Sequence, residues 1–210
     1  MLSKHTWHNL FKIFIILCSG LGLTLTIVNA DGSLRSFAYF TNQSNLLVFL
    51  IYCYFLFNHK TYHEPFITIL YQVVVAIVLT SIVYHLMLRP YIDETTYASS
   101  SLTDLLVHSF TPFLVVIERL IFSVKGIIQK SHPLYWLIFP LFYYVFSLIY
   151  GALGGLYQVG TENESRYPYF FLNFGESGIV YFLFVLVLIL LIGYGIYYIN
   201  RHLLNKEGEY

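Results

Sequence analysis

The chain has 210 residues, 58% of them hydrophobic and only 10% charged, with eleven Lys and Arg balancing eleven Asp and Glu. A soluble domain carries about a quarter charged residues, so a water-soluble globule of this length could not hide so much apolar surface. Disorder and a disulfide scaffold are excluded on the same grounds, and the charge balance argues against a nucleic-acid partner.

A spanning helix needs about 20 mostly apolar residues. Six stretches qualify, roughly 10–30, 40–58, 66–88, 102–124, 134–157 and 176–200. They predict an all-α, polytopic transmembrane bundle of six helices in one domain, with short connections carrying nearly all the charge. Val28-Asn29-Ala30 at the end of the first span imitates a signal-peptide cleavage site. The preceding apolar run exceeds the roughly 7–15 residues of a signal sequence, so it reads as a retained helix. Cys18 and Cys53 fall inside apolar runs and read as buried thiols.

Basic residues set the expected orientation. Lys4, Lys12, Lys60, Arg119, Lys125, Lys130, Arg201 and Lys206 would share one side, and Arg35, Arg89 and Arg166 the other. That asymmetry places both termini in the cytoplasm, in a cell membrane. Asp31, Asp93, Glu94, Glu162 and Glu164 then lie outside, as does the formal glycosylation sequon Asn163-Glu164-Ser165.

The informative residues are the intramembrane polar ones. The second span opens Thr41-Asn42-Gln43-Ser44-Asn45, leaving 12 apolar residues from Leu46 to Phe57. Those span only ~18 Å of a core about 30 Å thick, so the polar turn is expected at membrane depth. Thr41, Ser44 and Asn45 share one helix face, either as interhelical hydrogen-bond glue or as part of a site. His85 closes the third span. In the fourth, Asp104 and His108 are four residues apart and can touch. A carboxylate on one imidazole nitrogen fixes the tautomer and leaves the other as a base; the plainer reading is a helix-capping Asp near a satisfied core His. Pro112 lacks an N–H, so the His108 carbonyl is expected to lose its helical partner and the helix to kink. Thr41, His85 and His108 all fall in the outer half of the bundle. The other six histidines, His5, His8, His59, His63, His132 and His202, map to the cytoplasmic side.

A catalytic zinc site takes three protein ligands, and only His85, His108 and Asp104 share a depth. A bis-His haem between His85 and His108 is conceivable geometrically, with nothing else to support it; no metal or cofactor is expected. Glu118 and Arg119 read as an interfacial anchor at the inner end of the fourth span. In the fifth, Ser147, Gly151 and Gly155 form a small-residue stripe suited to close helix packing. The 20 Tyr and 19 Phe suit packing, interfacial belts and an apolar lipid pocket equally.

Phe40-Thr41-Asn42-Gln43-Ser44-Asn45, Leu106-Val107-His108 with Pro112, Pro140-Leu141-Phe142-Tyr143 and Tyr167-Pro168-Tyr169-Phe170-Phe171-Leu172-Asn173 occur in this order. The pattern resembles a family of bacterial six-helix integral membrane proteins of unassigned function, although Asn173 stands where that group commonly has Asp. The group is distantly similar to the androgen-induced and androgen-dependent tissue-factor-pathway-inhibitor-regulating proteins. Those are threonine hydrolases that cleave fatty acid esters of hydroxy fatty acids. The resemblance implies a Thr nucleophile at Thr41 and an essential His at His108. Asp104 as an orienting residue follows from spacing alone. Asn42, Ser44, Asn45 and His85 are candidate orienting or oxyanion residues, with the free N–H groups at the helix start. The expected function is hydrolysis of a lipid or fatty acyl ester within the bilayer. The alternative is a non-catalytic transporter or lipid-binding protein, with the polar residues as binding site or glue.

Overall fold

The computed structural model describes residues 3–58, 63–91, 101–158, 164–173 and 178–203. His59, Lys60, Asp93, Glu94, Glu162, Asn163 and Lys206 lie outside them. Six helices are long and apolar enough to cross a membrane: α1 (Lys4–Asn29), α2 (Phe40–Phe57), α3 (Glu64–Leu88), α4 (Leu102–Phe122), α5 (His132–Ala152) and α6 (Gly178–Leu203). The protein is therefore a multi-pass helical membrane protein. α1 starts before its apolar run because Ser3 caps it, accepting from the Thr6 N–H at 3.1 Å. α5 stops before residue 157, at Gly154, whose φ of 89° ends a helix at no steric cost.

α3 is the central helix and touches α2, α4, α5 and α6. Its residues 73–77, Val-Val-Val-Ala-Ile, are buried on every side, as expected of a helix apolar all round. α6 is the most peripheral, with most of its apolar surface left outward for lipid. The small-residue stripe behaves differently from expectation. Gly151 lies under the backbone of Arg166, where an added Cβ would stand 2.5 Å from the carbonyl oxygen. Gly155 lies past the end of α5. The stripe thus seats the connection between α5 and α6 rather than another helix.

That connection folds back over the start of α2. Gln158 N–H donates to Tyr39 Oη at 2.9 Å, and Phe171 and Leu172 are buried. Tyr143 Oη, on α5, donates to the Ala38 carbonyl at 3.1 Å. The polar turn of α2 completes the enclosure: Asn42 Nδ2 donates to the Ser36 carbonyl at 2.7 Å and Gln43 Nε2 to the Phe37 carbonyl at 3.0 Å.

Around Pro112, α4 frees a different carbonyl from the one expected. Its backbone widens into a π turn over Leu106–Phe110, with the Thr111 N–H donating to the Leu106 carbonyl five residues back. In that register the carbonyl facing Pro112 is Val107, not His108. Val107 thus loses one helical donor to the π shift and the other to proline. Asn45 Nδ2 replaces them, donating to the Val107 carbonyl at 3.0 Å and to the Thr41 carbonyl at 2.9 Å. Gly22 of α1 admits the widened turn, since an added Cβ there would stand 2.8 Å from Val107 Cγ1.

Asn45→Ala should therefore destabilise the protein in detergent by about 1 kcal/mol. The cost should shrink in a Pro112→Ala background, because an N–H restored at position 112 can reach Val107. Equal costs in both backgrounds, measured by thermal unfolding, would show that Asn45 does not serve the carbonyl that proline leaves open.

Candidate active site

Thr41 is the second residue of α2, and Tyr39 stands at its N-cap. Its Oγ1 lies 3.3 Å from Nε2 of His108, 67 residues along the chain. The other imidazole nitrogen, Nδ1, lies 3.0 Å from Asp104 Oδ1. The four-residue spacing thus places the carboxylate on the imidazole, and the third helix face closes the set. Asp104 Oδ2 accepts from Tyr84 Oη at 2.6 Å, and the Tyr84 ring stacks on the His108 ring with centroids 3.8 Å apart. Asp104 is 3% exposed and His108 8%. An imidazole held on its edge by a carboxylate and on its face by a phenol ring has little rotational freedom. With Nδ1–H donated to Asp104, the Nε2 lone pair faces the Thr41 hydroxyl.

Tyr84 has no part in the expectations from sequence. The available signal was its position before His85 in a helix that ends in a second π turn, Tyr84–Leu88. π turns concentrate at functional sites, and here two of them face each other across the imidazole.

The remaining candidates separate. His85 turns to Ser109, with Nε2 3.1 Å from Oγ, and lines a lateral cleft with Phe110, Pro112 and Phe113. It is not brought to Thr41. Ser44 Oγ donates to the Thr41 carbonyl at 3.0 Å and lies 2.8 Å from Thr80 Oγ1. Asn42 and Asn45 donate to backbone carbonyls, as described above. These three hold the polar turn in place; Ser44 and Asn45 do so as the interhelical glue the sequence allowed, and Asn42 by binding the connection just before α2. The donors left at the start of α2 are backbone N–H groups.

Beside Thr41 is a cavity of about 60 Å3. That is several times the roughly 10–15 Å3 that admits one water. Its walls include Phe40, Leu79, Val83, Tyr143, Leu186 and Ile189, with Thr41, Thr80 and Tyr169 supplying polar atoms. The half-buried Tyr169 comes from the α5–α6 connection. Its hydroxyl end points inward, toward the Thr41 side chain and the backbone of Phe40 and Thr41. Burial pushes its phenol up to about 12, with those contacts opposing the shift.

Glu118 and Arg119 are not an interfacial anchor. Glu118 is fully buried and Arg119 5% exposed. Glu118 accepts from Tyr52 Oη at 2.7 Å, pairs with His8 Nε2 at 2.6 Å, and takes a two-pronged contact from Arg119. The sequence placed the pair correctly along α4 but gave no sign that α1 and α2 would cover it. Among the described residues, no three His, Cys, Asp or Glu side chains gather as metal ligands. Both nitrogens of His108 are engaged by Asp104 and Thr41, against the bis-His arrangement with His85.

Comparison with protein-family models, with curated proteins and with solved structures finds no match to this chain.

Proposed function

We propose that the protein is a membrane-embedded hydrolase of long-chain fatty acyl esters, with Thr41 as nucleophile and His108 as base. The observation that carries this reading is the continuous contact from Tyr84 through Asp104 and His108 to Thr41, ending at an apolar cavity. A carboxylate, an imidazole and a hydroxyl in that order form the arrangement that activates a hydroxyl for acyl transfer. The motifs that resemble the threonine hydrolases of fatty acid esters of hydroxy fatty acids point to the same two residues and to that ester class.

In the first half-reaction Thr41 Oγ1 attacks the ester carbonyl carbon and its proton passes to His108 Nε2. The carbonyl electron pair moves onto oxygen. Collapse of that intermediate breaks the bond to the alcohol oxygen, which leaves with the proton from His108. An acyl ester of Thr41 remains. Water then gives a proton to His108 as it attacks the same carbon. The fatty acid departs, and the proton returns to Thr41. Asp104 holds the imidazole in one tautomer and stabilises its cationic form. The 3.3 Å separation of Thr41 and His108 suits a substrate-free site, where such contacts are often long. The positive end of the α2 dipole favours negative charge beside Thr41.

The apolar walls of the cavity suit the part of an acyl chain next to the reacting carbonyl, and the bundle's lipid-facing surface gives the rest of the chain a place in the bilayer. The distribution of basic residues supports an orientation with both termini in the cytoplasm and the site in the outer half of a cell membrane.

Purified protein in detergent should hydrolyse long-chain esters, including fatty acid esters of hydroxy fatty acids. Thr41→Ala, His108→Ala and the double variant should each lose most of kcat, by roughly a thousandfold, with the double no worse than either single. Asp104→Asn should lower kcat with KM nearly unchanged. Full hydrolysis by Thr41→Ala would overturn the mechanism. For orientation, Lys4→Cys should resist a membrane-impermeant maleimide in intact cells and Arg35→Cys should react; the reverse pattern would invert the bundle.

A further inference from the structure

An acyl-transfer site needs donors for the oxygen that gains charge, in addition to a nucleophile and base. The side chains the sequence offers for this are already committed. Asn42 donates to the Ser36 carbonyl, Asn45 to the Thr41 and Val107 carbonyls, and Ser44 to the Thr41 carbonyl. Redirecting any of them would loosen the turn that places Thr41. Phe40 and Thr41 are the first two residues of α2, so their N–H groups precede any intrahelical acceptor. The Tyr169 hydroxyl faces those two residues and the Thr41 side chain, and shares their cavity.

We propose that Tyr169 is a catalytic residue whose hydroxyl donates a hydrogen bond to the substrate carbonyl oxygen, completing an oxyanion site with the Phe40 and Thr41 N–H groups. This rests on the hydrolase reading above. In the free protein Tyr169 lines the same cavity as Phe40 and Thr41, with its phenol close to the start of α2. An arriving ester takes over the two N–H groups, and the phenol turns its own proton onto the same oxygen. The phenol proton is shared and never transferred, so the proton balance through His108 is unchanged.

The loop that carries Tyr169 is built to hold it there. Its strand-like contact between Tyr157 and Ser165 closes with backbone bonds of 2.8 and 3.1 Å. Gln158 is tied to Tyr39, the N-cap residue of α2. Pro168 is buried immediately before Tyr169, and the Phe171 ring stacks on Tyr169 with centroids 5.1 Å apart. A phenol held protonated by burial remains a donor through neutral and mildly alkaline pH.

The test compares full-length wild-type protein, Tyr169→Phe and Thr41→Ala in detergent, with p-nitrophenyl decanoate as substrate. Tyr169→Phe should lose kcat by about a hundredfold with KM within about twofold, the pattern of a contact made in the transition state. A kcat within about threefold of wild type, or above it, overturns the assignment of Tyr169 while leaving the hydrolase reading intact. Hydrolysis that persists in Thr41→Ala overturns the hydrolase reading itself, and so does a wild-type protein without turnover. If Tyr169→Phe does not fold, a difluorotyrosine at position 169 keeps the shape and makes the phenol more acidic. Its kcat should then fall at alkaline pH as the donor ionises, where wild type stays level. An unchanged alkaline profile overturns the proposal.

Discussion

The site depends on one primary amide. Asn45 donates one N–H to the Thr41 carbonyl within α2 and the other to the Val107 carbonyl across in α4. The bond fixes the rotation and depth of α2 against the turn of α4 that carries His108. It exists because α4 leaves the Val107 carbonyl open, through a π turn followed by proline. In a bilayer no water competes for that carbonyl, so a buried side-chain donor is what remains. The arrangement leaves Asn45 Oδ1 and the Thr111 hydroxyl, one turn beyond Val107, buried without a partner among the described residues. Positioning the dyad thus comes with incomplete polar satisfaction beneath it.

Much of this was legible in the chain. Six apolar runs gave the six helices, because hydropathy over about 20 residues is a strong signal. The short apolar length of the second span put Thr41 to Asn45 at membrane depth. The spacing of Asp104 and His108 gave their contact, which is local geometry within one helix turn. The meeting of Thr41 and His108, 67 residues apart, needed the shared depth and the resemblance together.

What was not legible has a common cause. Whether a helix takes α or π register at Leu106–Phe110 depends on what a neighbouring helix can donate to it. The carbonyl freed at Pro112 is therefore that of Val107 and not that of His108, and Asn45 caps it. Tyr84 and Tyr169 are two of 20 tyrosines in a chain rich in aromatics, and neither the place of Tyr84 before His85 nor that of Tyr169 in the Tyr-Pro-Tyr stretch gives it a chemical role. Glu118 and Arg119, charged and near a helix end, carry the pattern of an interfacial pair. Only the packing of His8 and Tyr52 over them reveals a buried network. That network gathers a carboxylate, a tyrosine and a histidine, as the dyad end does. It lies about 14 residues or ~21 Å farther along α4, and there the imidazole Nε2 of His8 meets the Glu118 carboxylate at 2.6 Å, where that of His108 meets the Thr41 hydroxyl. Resemblance in residue type is thus not resemblance in chemistry, and the hydroxyl facing His108 is what distinguishes the two ends.

The most direct measurement is the covalent capture of the nucleophile. Purified protein treated with a long-chain fluorophosphonate is digested and the modified peptide mapped by mass spectrometry. Attachment to Thr41 is expected in the wild type and should be lost in His108→Ala. Attachment at another hydroxyl, or no adduct under conditions that label a control serine hydrolase, would contradict a Thr41 nucleophile activated by His108.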